Sequence, residues 1–414
     1  MKTDVLIIGG GPAGIASAIS ASKTGANVIL VEREHRLGGI LNQCIHNGFG
    51  LHYFGVELTG PEFARKLSAK LSSFDNLTTM LNSSVINITK NKLGKFVIQI
   101  QNPDGLIKIT AKSVILAMGC RERPGGAISL GGNRVAGIYS AGSAQAIVNL
   151  QGKMIGKKIA ILGSGDIGLI MARRLLCEGA DIVGVYEINP SSSGLARNIT
   201  QCLTDFNIPL YLNTSVTRVI GKKRVQGIMV APVVDGKPDF KKEKLVPCDT
   251  LLLSVGLIPE IELVSSLNLE VSPNTNSLTV DENLQTSMPG LFIAGNVLHV
   301  NDLVDNVTLE GERAGHNAGM FAISSTKHSH PVELKYDENI RYTVPKYFYP
   351  DTSGELTIAF RVTKKLVRVR IVVLDGEEIV FSKPCPAIAP NEIQTITFKK
   401  QNLTKNLSIK IIPI

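Results

Sequence analysis

The hydrophobic pattern at the start of the chain predicts a strand, a helix and a second strand. Residues 3–8 read Thr-Asp-Val-Leu-Ile-Ile, an apolar run typical of a strand buried on both faces of a parallel sheet. A glycine turn follows, and Pro12–Lys23 then places Ala and Ile on one helical face. A second apolar run over residues 27–31 completes a βαβ unit, the crossover that parallel strands require.

The same pattern returns about 150 residues later. A strand is predicted at 158–162, a glycine turn at 163–168, a helix at 167–177 and a strand at 181–186. One repeat at this spacing indicates two nucleotide-binding domains and not a solenoid.

The remaining segments predict β structure of a different kind. Short strands are expected at 84–89, 95–101 and 106–110. After Pro331, runs with period two, such as 355–362 and 367–373, are typical of antiparallel strands. We therefore expect a small antiparallel β domain at the C-terminal end.

Composition and charge exclude several classes of function. The 414 residues carry a formal net charge of +9, but Lys and Arg lie in scattered clusters and Trp is absent. Nucleic-acid binding is not expected, because such proteins usually concentrate basic residues on one face. A solvated basic surface or an acidic partner protein explains the charge better.

The sequence also predicts a cytoplasmic protein. The apolar N-terminal residues continue directly into the glycine turn, so we interpret them as a strand and not as a signal peptide. No stretch approaches the roughly 20 apolar residues of a membrane span. The six cysteines include no Cys-x-x-Cys pair, so neither a metal site nor a secreted disulfide framework is predicted.

The first glycine turn matches the dinucleotide-binding pattern G-x-G-x-x-G between a strand and a helix. In this pattern the first glycine permits the tight turn, the second lets a pyrophosphate approach the backbone, and the third allows close helix–strand packing. Glu32, about twenty residues on, is placed to accept hydrogen bonds from ribose hydroxyls. The candidate contacts in this half are Gly9, Gly11, Pro12, Ala13, Gly14, Glu32 and Arg33.

The second glycine turn has the same pattern, with Glu187 ending its second strand. Its candidate contacts are Gly163, Gly165, Asp166, Ile167, Gly168 and Glu187. A carboxylate at 187 hydrogen-bonds a free 2′-hydroxyl and repels a 2′-phosphate, which favours NADH over NADPH. Two alternatives stay open: Arg197 folding back to reverse this preference, and a structural duplicate that binds nothing.

With both turns in place, residues 1–325 resemble the pyridine nucleotide–disulfide oxidoreductase superfamily. The strand-to-glycine crossovers at 114–119 and 251–256, and the segment 286–296, resemble conserved segments of that family. The resemblance implies FAD contacts at Gly39, Val85 (backbone only), Gly119, Gly295 and Asn296, and a nicotinamide contact at Gly256. Asn296 stands where the family usually has an Asp that holds the ribityl chain. Glu310 lies in the helix whose N-terminus faces the flavin pyrimidine in that family.

The resemblance implies an α/β fold with two Rossmann-like, three-layer ββα dinucleotide-binding domains. We expect the FAD-binding domain at 1–124 and 269–330, the NAD(H)-binding domain inserted at 125–268, and the β domain at 331–414. This last domain is expected to mediate assembly or partner docking, so that its deletion leaves a flavin-loaded protein.

The redox-active cysteine pairs of the superfamily have no counterpart in this sequence. In glutathione-type reductases they follow the glycines matching Gly38-Gly39, and those positions hold Leu41 and His46. The stretch 139–145, where thioredoxin reductases carry theirs, holds no cysteine. Segments 38–48 and 299–305 look closer to the α subunits of sarcosine oxidase and dye-linked proline dehydrogenase, flavoprotein subunits often associated with a glycerol-3-phosphate dehydrogenase.

We therefore expect hydride transfer between NADH and non-covalent FAD in an electron-transfer subunit of a dehydrogenase complex. A partner dehydrogenase or small electron-carrier subunit is expected, with a homo-oligomer possible. The alternatives are an NADH oxidase or peroxidase using Cys44 activated by His46, and a non-catalytic FAD-binding redox sensor. For Cys44, a packing role beside the flavin is the favoured interpretation. His46, His52 and His299 are either donors to the flavin or to a partner's site, or ordinary hydrogen-bonded loop histidines.

Overall fold

The computed structural model describes residues 1–324, 330–400, 403 and 406–414. It divides into two compact units, one formed by Met1–Cys120 with Pro259–Ile414 and the other by Arg121–Ile258. The second unit is therefore inserted in the sequence of the first. The boundaries predicted at 124/125 and 268/269 lie four and ten residues later in the chain, and the cofactor assigned to each domain remains a prediction.

The first unit begins with alternating strands and helices followed by a β meander. Its elements before the insertion are β1 (Lys2–Ile8), α1 (Pro12–Lys23), β2 (Val28–Val31), α2 (Gly60–Ser68), β3 (Leu77–Met80), β4 (Ser84–Lys90), β5 (Phe96–Asn102), β6 (Gly105–Leu116) and β7 (Cys120–Glu122).

The inserted unit contains the second set of alternating elements and a smaller β sheet. Its elements are β8 (Gly131–Gly132), β9 (Ile138–Ser140), α3 (Ala141–Gln151), β10 (Lys158–Leu162), α4 (Asp166–Cys177), β11 (Asp181–Tyr186), α5 (Ala196–Cys202), β12 (Leu210–Tyr211), β13 (Thr214–Gly221), β14 (Val225–Val234), β15 (Lys237–Pro238), β16 (Lys244–Val246), β17 (Thr250–Leu253) and β18 (Leu257–Pro259).

The chain then returns to the first unit and ends in a β-rich region. The elements are β19 (Val271–Ser272), β20 (Ser277–Leu278), β21 (Leu291–Ile293), α6 (Val304–Ile323), β22 (Val332–Glu333), β23 (Lys335–Tyr336), β24 (Ile340–Val344), β25 (Tyr347–Phe348), β26 (Gly354–Val362), β27 (Leu366–Asp375), β28 (Glu378–Ile388), β29 (Gln394–Lys400) and β30 (Leu407–Pro413).

The main sheet of the first unit has the strand order β3-β2-β1-β6-β5-β4, and β21 also pairs with β6. The pairings of β1, β2, β3 and β21 are parallel, whereas β4, β5 and β6 pair antiparallel. The predicted end of the strand at 110 is therefore wrong. β6 continues to Leu116, because its first half pairs with β5 and its second half with β1. The central strands are buried on both faces, as their continuous apolar sequence predicts.

The inserted unit contains a parallel sheet of order β12-β11-β10-β17-β9. Its second sheet has the order β15-β14-β13-β8, with β16 paired to β14. The carboxyl ends of β10 and β11 lead to Gly163 and Glu187, so the second glycine turn and its acid meet at one edge of the parallel sheet. Both units thus have the Rossmann-like α/β sheets that the sequence predicts.

The C-terminal region forms its own core between sheets of order β23-β30-β27-β28 and β24-β26-β29. These pairings are antiparallel except for β23 with β30. Tyr342 and Val344, however, belong to the core around the main sheet of the first unit, and Lys400 forms a buried ion pair with Glu282. This packing differs from the expectation that the region can be deleted without affecting that sheet.

Within the described ranges, no helix combines the length and the apolar character that crossing a bilayer requires.

Candidate cofactor-binding sites

The first glycine turn follows β1 and is packed so closely that side chains are excluded at two positions. Gly9 has a φ of +103°, and a Cβ there would lie 2.5 Å from the carbonyl oxygen of Ala117. A Cβ on Gly14 would lie 1.8 Å from the carbonyl oxygen of Gly9. Only glycine fits at these positions, because backbone atoms occupy the space of the side chain.

Gly11 is the opposite case, since a Cβ there would meet nothing within 4 Å. Gly11 is the N-cap of α1, no side chain caps this helix, and Pro12 stands in its first turn. Gly39 approaches from the other side, where a Cβ would lie 3.2 Å from the Gly11 Cα. The turn therefore leaves open space in front of a helix N-terminus, the arrangement that binds phosphate groups.

Glu32 follows β2 and is 6% exposed. Its carboxylate accepts hydrogen bonds from the backbone N–H of Gly10 at 2.6 Å and of Glu34 at 2.8 Å. A carboxylate offers about four acceptor positions, so further capacity is left for ribose hydroxyls. The Arg33 side chain is 77% exposed and lies 3.7 Å from the Glu34 carboxylate. Arg33 therefore sits at the surface beside the predicted ribose position.

A surface cavity of about 380 Å³ lies next to this turn. Leu37 lines it, and the same side chain lies over Gly10. His35, Arg36 and Arg65 add basic groups to its wall. Leu37 is thus the residue that connects this cavity with the first glycine turn.

The other predicted FAD contacts occupy strand ends and turns of the same unit. Gly119 and Gly295 have φ values of +73° and +77°. We call the segment 286–296 the second fingerprint. A Cβ on Gly295, in this segment, would lie 2.8 Å from the Ala13 Cβ, so the second fingerprint contacts the start of α1. The Asn296 Oδ1 accepts a hydrogen bond from the backbone N–H of Asn301 at 2.9 Å. Val85 is half-buried in β4, opposite Ile100 of β5.

A buried pair, His299 and Glu310, stands directly behind this second fingerprint. The His299 Nε2 lies 2.9 Å from one oxygen of Glu310, and the other oxygen accepts the Gly295 N–H at 2.5 Å. His299 is 1% exposed and its Nδ1 has no hydrogen-bond partner within the described residues. The sequence identifies both residues as candidates but does not predict the hydrogen bond between them. A His eleven residues before a Glu matches neither the helical nor the strand period.

Asp305 is a further functional candidate that the sequence did not single out. Its buried carboxylate accepts the backbone N–H groups of Gly50, His52 and Tyr53 at 3.2, 3.0 and 2.7 Å. It therefore fixes the loop after Cys44 to the start of α6. The His52 side chain is exposed, so this histidine contributes its backbone and not its ring to the contact.

The second glycine turn repeats the first with one difference in packing. Gly163 has a φ of +91°, and a Cβ there would lie 2.1 Å from the carbonyl oxygen of Ser254. A Cβ on Gly168 would lie 2.6 Å from the Ser254 Cβ, a side-chain atom. Gly165 is the N-cap of α4, which also has no side-chain cap. The glycine turn before α4 is thus of the same kind as the one before α1, and here the Ser254 Oγ accepts the Gly168 N–H at 3.1 Å.

Glu187 is 3% exposed and accepts more hydrogen bonds than Glu32. The donors are the Ser164 N–H at 3.0 Å, the Ser164 hydroxyl at 2.5 Å, and the Asn189 N–H and side-chain amide at 3.0 and 2.8 Å. Asp166 accepts the Leu195 N–H and the Asn198 amide at 2.8 and 2.7 Å, so it fixes the first turn of α5, where Arg197 lies. Ile167 is half-buried, and Gly256 has a φ of +100° with open space around it.

The surroundings of Cys44 do not favour an activated thiol. Burial raises the pKa of the Cys44 thiol to about 12, and its Sγ lies 3.3 Å from the Ile40 carbonyl oxygen. The His46 Nδ1 lies 2.9 Å from the Asn47 carbonyl oxygen, and its ring lies 5.0 Å from that of Phe49. A thiol with a raised pKa is protonated at neutral pH and is a poor nucleophile. The raised pKa of the Cys44 thiol does not support an activated Cys44–His46 pair, and the catalytic role of these two residues stays a prediction.

Known proteins are similar in sequence to most of this chain. Mitochondrial dihydrolipoyl dehydrogenase of Caenorhabditis elegans is 25% identical, covering 83% of this chain and 71% of that protein. Thioredoxin reductase of Mycoplasma genitalium is 26% identical, covering 70% and 86%. Sarcosine oxidase subunit alpha of Rhizobium meliloti is 29% identical, covering 90% of this chain but only 36% of that protein.

Solved structures show the same fold. T. acidophilum thioredoxin reductase superposes with a TM-score of 0.64 at 23% identity, covering 78% of this chain and 99% of that one. L-proline dehydrogenase from P. horikoshii gives a TM-score of 0.55 at 23% identity, covering 76% and 54%.

The family model described as pyridine nucleotide-disulphide oxidoreductase matches residues 3–318. This match contains both glycine turns, the crossovers and most of α6, so the predictions of an FAD- and NAD(P)H-dependent oxidoreductase and of a flavoprotein with Rossmann-like nucleotide-binding sheets are confirmed. The chain belongs to the pyridine nucleotide-disulphide oxidoreductase family.

Proposed function

We propose that this protein carries hydride between NADH and FAD and exchanges electrons with a partner subunit, without a redox-active disulfide. The observation that carries the proposal is the pair of glycine turns, each followed by a helix whose N-cap glycine provides no side-chain cap, and each paired with a buried acid. The positions of the glutathione-type cysteines hold Leu41 and His46 instead.

The first turn fits FAD. Gly11 and the N-terminus of α1 would hold the pyrophosphate, Glu32 the adenosine ribose, and Gly295-Asn296 the ribityl chain. The unpartnered Nδ1 of His299 leaves one buried polar atom available beside this fingerprint. When bound, FAD supplies the hydride-accepting ring; the protein contributes alignment, exclusion of water and electrostatics.

The second turn fits NADH better than NADPH. Gly165 and the N-terminus of α4 would hold the pyrophosphate, and Glu187 would lie at the ribose. A buried carboxylate at this position repels the extra phosphate of NADPH. The hydrogen bonds from Ser164 and Asn189 fix the orientation of the Glu187 carboxylate.

Dithiol chemistry has little support in this chain, although relatives include thioredoxin reductases. The stretch 139–145 reads Tyr-Ser-Ala-Gly-Ser-Ala-Gln, and burial raises the pKa of Cys44. Cys202, Cys248 and Cys385 are buried, and Cys177 lies at the exposed end of α4. A peroxidase using Cys44 is disfavoured for the same reason, since it requires a thiolate.

A partner subunit is supported by two relatives whose names identify them as subunits. They are sarcosine oxidase subunit alpha and hydrogen cyanide synthase subunit HcnB of Pseudomonas protegens, the latter 25% identical over 72% of this chain. The sarcosine oxidase match covers 90% of this chain, and residues 331–414 make up about a fifth of it. That match must therefore include part of the C-terminal β region, which the family model ending at 318 does not.

Anaerobic titration of the purified protein with NADH and with NADPH tests the proposal. We expect denaturation to release FAD, NADH to bleach the flavin absorbance faster than NADPH, and an artificial dye to reoxidise it. Purification from the native host then identifies the bound polypeptide. A protein that releases FMN, or that reduces disulfide substrates as fast as dyes, contradicts the proposal.

A further inference from the structure

The segment between the second fingerprint and α6 is fixed at both ends by hydrogen bonds to residues of the N-terminal 324. At one end the Asn296 side chain accepts the N–H of Asn301, and at the other Asp305 accepts three backbone N–H groups of the loop 50–53. Between these points lies an irregular stretch, Val300–Leu303, whose position is set by other contacts. Those contacts come from the C-terminal β domain.

Arg361, in β26, is the main contact. Its Nη2 donates to the Val300 carbonyl oxygen at 3.0 Å and to the Asp302 Oδ1 at 2.5 Å. The second Asp302 oxygen accepts the backbone N–H of Ile393 at 2.7 Å. The Arg361 and Asp302 side chains are only 13% and 17% exposed. Both oxygens of the Asp302 carboxylate are therefore bound by the C-terminal domain.

A second contact connects the domain to the buried pair behind the fingerprint. The Tyr342 ring, in β24, lies edge-on to the His299 ring, with 6.1 Å between centroids and an angle of 85°. His299 contacts Glu310, and Glu310 accepts the N–H of Gly295. A continuous series of packed groups thus leads from the C-terminal domain to the glycine of the second FAD fingerprint.

We propose that the C-terminal β domain is a positioning element of the FAD site, with Arg361 acting through Asp302 and Val300. This inference rests on the proposed FAD-dependent function and goes beyond it, because it assigns to residues outside the family match a role in cofactor binding. The physical reason is that removing one partner of a nearly buried ion pair leaves an uncompensated charge, which the segment relieves by moving towards water. Such a movement displaces Gly295, Asn296 and the start of α6 together.

The test compares Arg361→Ala with Arg370→Ala, a matched control in the same domain whose Nη1 donates to Ser382 at an exposed position. Equilibrium dialysis measures the FAD dissociation constant, visible circular dichroism reports the flavin environment, and thermal melting of the apoprotein reports stability. We expect Arg361→Ala to weaken FAD binding about tenfold and to change the flavin spectrum, as for loss of a desolvated charge pair. Arg370→Ala keeps the wild-type affinity and spectrum.

Two further variants keep the test decisive. Arg361→Lys retains the charge and is expected to restore part of the affinity, and Asp302→Asn is expected to weaken FAD binding as Arg361→Ala does. The double variant should bind FAD no more weakly than Arg361→Ala alone, because each of the two changes breaks the same Arg361–Asp302 contact. If Arg361→Ala does not fold, the Lys and Asn variants are the ones measured.

Two outcomes overturn the inference separately from the proposed function. If the wild-type protein binds FAD and is reduced by NADH, but the Arg361 and Asp302 variants melt earlier with unchanged FAD affinity and spectrum, the contact is only structural. The inference then fails while the proposed function stands. If the wild-type protein binds no FAD, the proposed function fails and the inference fails with it.

Discussion

The two glycine turns share a sequence pattern but differ in how their acids are held. Glu32 accepts hydrogen bonds from Gly10 and Glu34, both backbone groups. Glu187 accepts hydrogen bonds from the backbone N–H groups of Ser164 and Asn189. It also accepts hydrogen bonds from the Ser164 hydroxyl and the Asn189 side-chain amide. A carboxylate has about four acceptor positions, so Glu187 is nearly saturated by the protein whereas Glu32 is not.

The helices after the two turns also differ in packing. In the first unit the backbones of α6 and α1 are in contact. A Cβ on Gly311 would lie 2.4 Å from the Ala13 carbonyl oxygen, and a Cβ on Gly315 would lie 2.2 Å from the Ser17 carbonyl oxygen. In the inserted unit α4 packs through the side chains of Leu169, Met171 and Leu175. Backbone contacts allow less adjustment than side chains. The contact of α1 with α6 should therefore tolerate added side-chain volume less well than the packing of α4 does.

The largest expected effect comes from Gly14→Ala. The new methyl would overlap the Gly9 carbonyl oxygen, which cannot rotate away, so we expect destabilisation of about 3 kcal/mol and loss of FAD. The FAD content and the melting temperature of the purified variant measure it. Gly11→Ala is the matched control: its methyl meets no protein atom, so the apoprotein should melt like wild type while FAD affinity falls. Equal melting of the two apoproteins contradicts this packing.

Gly168→Ala is expected to have a smaller effect than Gly14→Ala. Its methyl would lie 2.6 Å from the Ser254 Cβ, a smaller overlap than the 1.8 Å at Gly14, so a cost of about 2 kcal/mol is expected. FAD should remain bound, since the variant lies in the other unit, while the KM for NADH rises. Steady-state kinetics with a dye acceptor and the FAD content of the same sample check both points. A variant that loses FAD shows that the two turns are not independent.

A still smaller effect is expected from Glu187→Ser. The substitution removes the repulsion of a 2′-phosphate and releases the Ser164 and Asn189 donors to bind it. We expect the ratio of kcat/KM for NADH over NADPH to fall about tenfold, the value of one charged hydrogen bond. Glu178→Ser, at the exposed end of α4, is the control. A wild-type preference for NADPH shows instead that Glu187 does not discriminate.

The sequence predicted those features that are local. The buried strands, both glycine turns and the acids after them appear because strand–turn–helix units have a short, periodic pattern. Arg361 and Asp302 are 59 residues apart in the sequence, so their contact gives no periodic signal. The three N–H groups on Asp305 were equally invisible, because their donors belong to the backbone. The continuation of β6 past 110 was missed because its two halves belong to different pairings.

The smallest expected effect is that of Cys44→Ser. Hydride transfer from nicotinamide to flavin requires no thiol, so NADH-to-dye electron transfer should stay within about threefold of wild type. Because burial raises the pKa of Cys44 to about 12, the thiol stays protonated up to pH 9 and should contribute no inflection to the pH profile below that. Alkylation by iodoacetamide should be slow for the same reason. Exposed Cys177 provides the comparison, since Cys177→Ser removes the thiol expected to react first. Rapid modification of Cys44 at neutral pH, or a loss of peroxide reduction with dye reduction intact, would favour the peroxidase alternative.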